Sequence, residues 1–172
     1  LAVCPALSWD STEDADALYL KNQRQWVGRY LRENLGDNLD IYRNAAFLTL
    51  DTDDCYGNVH PRDAQISESV LIVCAEIQRQ LAEGQLELQE DECIAMTKQA
   101  FFRIITNCRN KWKNAWSKEY CEMDEDRLVE TILKYMTDWM MVRSKEERIT
   151  VLPAVGRLAG QYPSDYKGDG EE

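Results

Sequence analysis

The chain has 172 residues, 44% hydrophobic and 30% charged, which is typical of one folded domain rather than a disordered or fibrous protein. Its 31 acidic and 20 basic residues give a net charge of −11, which disfavours a nucleic-acid polymer as partner. The longest uninterrupted apolar run, Val70–Ala75, is far shorter than the ~20 residues of a membrane-spanning helix. We therefore expect no membrane span.

The first third of the chain predicts an extended N-terminal arm followed by helices. The arm covers 1–10, and a helix over 11–35 carries an apolar stripe that includes Trp26, Val27, Tyr30 and Leu31. Asn38 can cap a further helix through Ala46, although the apolar residues that follow could equally start a short strand. We favour the helix.

The remaining two thirds alternate loops with helical periodicity. Residues 51–65 are rich in Asp, Gly, Asn and Pro and predict a loop. Helices are predicted from Ser67 or Ser69 to Glu83, over 90–120, where apolar residues recur every three or four positions for about seven turns, and over 124–143. Ser144 opens a further short helix by its capping-box spacing.

These elements predict an all-α fold, a single-domain irregular bundle of about five amphipathic helices. The boundaries are an N-terminal arm over 1–10, a helical domain over 11–160 and a flexible acidic tail over 161–172. Neither an internal repeat nor an interdomain linker is visible in the sequence.

The cysteines predict disulfides and secretion. Six are present, at positions 4, 55, 74, 93, 108 and 121. Their even number, in a chain that starts at Leu1 rather than Met, favours three disulfides in an oxidising compartment over buried thiols, the alternative. In a hairpin of the 67–83 and 90–120 helices, Cys74 is too far from Cys93 and Cys108 to bond either, which leaves positions 4, 55 and 121.

Residues able to do chemistry are few, and we predict no catalytic residue, metal ligand or cofactor. The single histidine, His60, lies in the predicted loop and is interpreted as an ordinary loop residue. No nucleophile, zinc or phosphate-loop motif occurs. The acidic residues that begin at Asp51 lack the spacing of calcium ligands in an EF-hand loop.

One segment, 97–118, has six basic residues and no acidic one, in contrast to the acidic remainder. Arg109, Trp112, Lys113 and Trp116 form our candidate ligand-binding set, because a basic helical face with indole rings suits an anionic or amphipathic small molecule. The alternative is that these bases form ion pairs with acidic neighbouring helices.

The sequence as a whole is interpreted as a secreted, extracellular, non-enzymatic binding protein that sequesters a small molecule or engages a partner protein. In composition it resembles the disulfide-stapled helical proteins of insect saliva, venoms, cytokines and pathogen effectors, which implies a role in host interaction. That resemblance carries no motif and assigns no residue a role. The alternative function is a secreted hydrolase that depends on calcium or carboxylates.

Overall fold

A computed structural model describes residues 6–8, 15–50 and 60–160 of the chain. Within these residues the protein is mixed α and β, with helices α1–α6, two three-stranded antiparallel sheets and a final 3₁₀ turn. The bounds are β1 Ala6–Ser8, α1 Ala15–Asn22, α2 Arg24–Leu35, β2 Asp37–Ile41, β3 Ala45–Leu50, α3 Gln65–Ala82, β4 Ile94–Thr97, α4 Lys98–Lys111, α5 Lys118–Glu122, α6 Glu125–Asp138, β5 Val142–Lys145, β6 Arg148–Val151 and the 3₁₀ turn Pro153–Gly156.

The all-α prediction is therefore wrong. Where a helix was predicted over 38–46, β2 and β3 form a hairpin, with Leu39 paired to Leu48 and Ile41 to Ala46. The predicted 90–120 helix is divided into β4, α4 and α5. Thr97 starts α4 as its N-cap, accepting the N–H of Ala100 at 3.1 Å, so the residues before it are free to form a strand.

Other helices occur close to their predicted positions. The helix predicted over 67–83 is α3, and the helix predicted from residue 124 is α6, whose N-cap Asp124 accepts the N–H groups of Asp126 and Arg127. The prediction for 11–35 corresponds to α1 and α2, which Gln23 separates. No helix among the described residues has both the length and the apolarity needed to cross a membrane.

The N-terminal region, residues 6–8 and 15–50, is a small sheet in the order β1-β3-β2 with α1 and α2 beside it. Few of its described side chains are buried. Two small clusters fill its interior: Ala45 and Phe47 with Ala154, and Ala17 and Ala46 with the partly buried Leu39 and Ile41.

The C-terminal region, residues 60–160, has the element order helix, strand, helix, helix, strand, strand when the single-turn α5 is set aside. Its sheet has the order β4-β6-β5, and the order of its elements resembles that of a winged helix, although residues 112–124, which include α5, separate α4 from α6. The helix predicted from Ser144 is absent from this region, where β5 and β6 form a hairpin with Glu146 at φ 53° in its turn.

The two regions are joined by polar contacts. Arg157 contacts Asp40 at 2.6 Å and donates to the Tyr42 hydroxyl at 2.8 Å, so the end of the described chain is tied to β2 and its turn. Asn44 donates to the Asp91 carbonyl at 2.8 Å. These contacts hold the N-terminal sheet against the C-terminal region.

Gly160 lies where the chain crosses α3. Its N–H donates to the carbonyl of Leu71 at 3.0 Å, and a Cβ at position 160 would be 2.8 Å from the Leu71 Cβ. Only glycine fits this close approach without a shift of one backbone against the other.

The described cysteines form no disulfide, so that prediction is wrong for them. Cys74, Cys93 and Cys108 are buried thiols and Cys121 is a half-buried one, while Cys4 and Cys55 are outside the described residues. Burial raises the pKa of Cys74 to about 12, and likewise that of Cys108, so both act as small apolar core residues. The predicted bond from Cys74 is absent, and secretion stays a prediction without this support.

Candidate functional site

The four residues predicted to bind a ligand do not form one surface. The structure buries Arg109, which is 9% exposed, and its guanidinium donates to the Met123 carbonyl at 2.9 Å and to Glu125 Oε1 at 2.7 Å. Arg109 therefore ties α4 to the start of α6, as the alternative of ion pairing with an acidic helix predicts.

The other three candidates lie beyond the last residue of α4 and face different surroundings. Trp116 is 4% exposed and packs edge-on against Tyr120, so its indole ring is not an exposed platform for a ligand. Lys113 is exposed, and Trp112 is half-buried at the C-cap of α4. Ligand binding by the four residues as a set stays a prediction.

Trp112 does line a groove of about 650 Å³ between α3 and α4. Its lining includes the buried Ile72 and Cys108 and the charged side chains of Lys111 and Glu76. The pKa of Glu76 is lowered to about 2, first by its hydrogen bond from Arg79, so this carboxylate is ionised at neutral pH. The groove thus has charges of both signs and selects no single charge class of ligand.

His60 contacts a cluster of polar and aromatic side chains, whereas the sequence was interpreted as giving it no role beyond that of a loop residue. Its Nδ1 lies 3.0 Å from the Tyr135 hydroxyl and 3.1 Å from Ser67 Oγ, and its ring is 5.5 Å from that of Trp139. Because Ser67 Oγ accepts the N–H of Arg62, its proton is available to His60 Nδ1. Burial, then the charge of Arg62, lowers the His60 pKa to about 4.

This cluster contains the residue types of a hydrolase active site, but a substrate cannot reach its serine. Ser67 is fully buried, so its hydroxyl cannot reach a substrate carbonyl. Among the described residues there is also no group of three His, Cys, Asp or Glu side chains placed to hold a metal ion. We interpret His60, Ser67 and Tyr135 as a structural contact between α3, α6 and the segment before α3.

In a winged helix, the second helix of the helix-turn-helix pair usually contacts DNA, and α6 has the corresponding position in the order of elements here. Its fourteen residues include four acids and two bases, and Glu125, Asp126 and Glu130 are exposed. A negative helix repels phosphate groups, as the chain does overall. The charge of α6 therefore argues against recognition of DNA by this helix.

The most unusual surface is α2. None of its twelve residues, all of them described, is buried. Trp26 is 53% exposed and Tyr30 is 51% exposed, and their rings stack at 5.6 Å between centroids. Neighbouring α1 adds Leu18 and Tyr19, also about half exposed. Large exposed apolar groups that cluster on a surface are typical of a protein–protein contact.

The rings of Trp26 and Tyr30 are exposed because α2 has apolar residues on two sides of the helix. Val27 and Leu31, four residues apart, are the half-buried pair on a helix that packs beside β2. Trp26 and Tyr30 each precede one of them by a residue, about 100° around the helix, and so point away from that side. The sequence interpretation merged both pairs into one stripe, and this doubled apolar pattern is the signal that could have separated them.

We call the exposed side chains of Leu18, Tyr19, Trp26, Arg29 and Tyr30 the α2 surface. Trp26, Arg29 and Tyr30, with Glu33, also line a shallow notch of about 350 Å³ in this surface. The α1–α2 segment, 15–35, has four bases and two acids, whereas the rest of the chain has 16 bases and 29 acids. The α2 surface itself is aromatic, and its notch is lined by one base, Arg29, and one acid, Glu33.

Comparison with known protein families gives a match over nearly the whole chain. The model of the family described as "Protein of unknown function (DUF2398)" matches residues 1–161. The chain belongs to the DUF2398 family. No curated protein matches this DUF2398 chain significantly, so the assignment of a function depends on the surfaces described above.

Proposed function

We propose that this DUF2398 chain is a non-enzymatic binding protein that engages a partner protein through the α2 surface. The observation that carries the proposal is the exposure of Trp26 and Tyr30 on a helix without a buried residue. Aromatic side chains are enriched where protein interfaces contribute most of their binding energy. Leaving two such rings in water brings no benefit to the folded chain alone.

A partner protein fits the described residues better than the other classes of function. Enzymatic hydrolysis lacks an accessible nucleophile in the His60 cluster, since Ser67 is buried. Nucleic-acid recognition is opposed by the acidic α6 and by the net charge of −11. A small ligand in the α3–α4 groove is supported only by the half-buried Trp112 and a mixture of charges.

The test is the double substitution Trp26→Ala with Tyr30→Ala, compared with Leu88→Ala as a matched control. Leu88 is 54% exposed but lies in the loop before β4, outside the α2 surface. Tagged full-length proteins are crosslinked in their native cells, and the captured proteins are quantified by mass spectrometry. Interface aromatics contribute about 2 kcal/mol or more each, so we expect at least tenfold loss of a specific partner in the double variant.

The control variant should retain that partner at the wild-type level, and circular dichroism should show all three proteins equally folded. If the double variant captures the same proteins in the same amounts as the wild type, the α2 surface does not bind a partner and the proposal is wrong.

A further inference from the structure

We infer that one face of the C-terminal sheet is a docking site for a short acidic segment of a partner protein. This face belongs to β4, β6 and β5, so the inference concerns a second surface and does not depend on the α2 surface. It follows from the register of the three strands, which brings basic side chains together on a face without buried residues.

The register assigns each side chain of the sheet to one of two faces, because paired residues point the same way and successive residues alternate. One face supplies buried residues to the main core cluster, namely Ile94, Met96, Val142, Ile149 and Val151. The opposite face, which we call the outer sheet face, has no buried residue. It consists of Ala95, Thr97, Arg143, Lys145, Arg148 and Thr150.

The charged side chains of the outer sheet face are all basic, although acids outnumber bases in the chain as a whole. Lys145 lies directly opposite Arg148, and Arg143 is the diagonal neighbour of Arg148, which in a sheet is about 8 Å away. Like charges in directly opposite positions destabilise a sheet. The folded chain alone therefore gains nothing from this pairing, whereas a carboxylate bound to the face would offset the repulsion.

The two paired bases are available for such a contact. Lys145 and Arg148 are exposed, and neither has an ion-pair partner within the described part of the chain. They can therefore bind carboxylates without first breaking an internal ion pair. Thr97, which pairs with Arg148, is the N-cap of α4, and the first turn of α4 has no acid. The positive end of this helix adds to the positive potential at the same end of the face.

A short protein segment fits the outer sheet face better than a nucleic acid or an acidic membrane. Four residues along a strand extend about 13 Å, and three strands are about 10 Å across, so the face is small. Glu146 and Glu147 form the adjoining hairpin turn, and the net charge of the chain is −11. A polymer or membrane has negative charge over a larger area and would be repelled by these acids, whereas a few carboxylates of a protein segment can contact the bases alone.

The experiment measures fluorescence anisotropy of a labelled peptide of about eight residues, in which Glu and Ser alternate. In an extended segment this alternation places carboxylates on one side about 7 Å apart, which is the spacing of Arg143 and Lys145 along β5. A second peptide has Gln in place of every Glu and tests whether the charge is required.

Binding is measured for the full wild-type chain, for Lys145→Gln with Arg148→Gln, and for Arg127→Gln with Lys134→Gln as the matched control. The control removes two positive charges from exposed positions of α6. Because the buried residues of α6 belong to the core cluster on the opposite side of the sheet, the control leaves the outer sheet face intact.

We expect the Glu peptide to bind the wild type and the control equally and the outer-face variant about fivefold more weakly. A fivefold loss corresponds to ~1 kcal/mol, the sum expected for two exposed ion pairs. At about 500 mM salt, screening should remove the difference between the two variants. The Gln peptide should bind the wild type more weakly than the Glu peptide does. The Tm of the outer-face variant should be no lower than that of the wild type, because a pair of like charges has been removed.

Other outcomes would contradict the inference. Absence of Glu-peptide binding, equal binding of both peptides, or equal losses in the two variants would each exclude an acidic segment as the occupant. Binding of oligo-dT or of phosphatidylserine vesicles that depends on Lys145 and Arg148, without binding of the Glu peptide, would assign the face to a nucleic acid or a membrane. A lowered Tm of the outer-face variant, together with absent peptide binding, would show that acids of this chain already pair with the two bases.

Discussion

The two regions of the molecule differ in how they use apolar side chains. The C-terminal region packs 22 buried residues from helices and sheet into one continuous cluster. The N-terminal region has only two small clusters, and one of them includes Ala154 from the C-terminal region. Most large apolar groups of α1 and α2 remain at the surface.

Residues that are equally apolar in the sequence therefore have two different roles in this chain. Aromatic residues such as Phe101 stabilise the fold by burial, whereas Trp26 and Tyr30 stay available for binding. In our proposal, stability and interaction are thus assigned to separate regions, and substitutions in the two regions should have different effects on the free energy of unfolding.

The largest expected effect is on the core. Phe101→Ala removes a ring that is 0% exposed, and such a substitution costs about 3–5 kcal/mol of the free energy of unfolding. Trp26→Ala, a larger deletion in atoms but on the α2 surface, should cost no more than about 0.5 kcal/mol. Urea unfolding of both variants measures the contrast. Equal losses would show that α2 is part of the folded core in solution.

The second prediction compares the contributions of Arg109 and Lys113, two basic residues of the segment 97–118, to stability. Arg109→Gln breaks the buried contacts to Met123 and Glu125 and should cost about 1.5–3 kcal/mol, the range for hydrogen bonds to charged groups. Lys113→Gln removes the same charge from an exposed position and should change stability by less than about 0.5 kcal/mol. Thermal unfolding distinguishes them. Similar melting temperatures for both variants would contradict a structural role for Arg109.

The smallest effect is pH dependence through His60. Its pKa is about 4 in the folded chain against an ordinary value of 6.5, so between these values the unfolded chain binds a proton that the folded chain does not. Stability should therefore fall as the pH decreases from about 6.5 to about 4. Because His60 is only half-buried, we expect a decrease in Tm on the order of 2–4 °C from this group.

The matched variant for this prediction is His60→Asn, which keeps an acceptor near Ser67 and Tyr135 but does not titrate in this range. The difference in Tm between wild type and variant should narrow or reverse on acidification. A difference that stays constant from pH 7 to pH 4 would show that His60 does not contribute to the pH dependence.

The sequence predicted helices correctly where the local signals were strong. The apolar period of α3 and the acidic first turn of α6, with Asp124 as its cap, gave their positions within a few residues. It failed for the strands because their signals are short and ambiguous. The β5–β6 hairpin turns at Glu146 and Glu147, without the Asn-Gly or Asp-Gly pair that usually marks such a turn.

The candidate site was harder to predict because exposure is a tertiary property. Trp116 and Trp26 belong to helical patterns of similar appearance, yet the structure buries one and exposes the other. Neighbouring elements decide this: Trp116 belongs to the main core cluster and packs against Tyr120, whereas no residue of α2, as far as the structure describes the chain, is covered to that extent. Local periodicity contains no information about such neighbours.

Gly160 also constrains how the sequence can change over evolutionary time. Every single-nucleotide change that replaces a glycine codon with that of another amino acid adds at least a Cβ atom. At this position that atom would meet Leu71 at 2.8 Å, with the backbone of α3 directly behind it. Each such replacement of Gly160 therefore requires a shift of the chain at this position or of α3, and position 160 has little room for neutral drift.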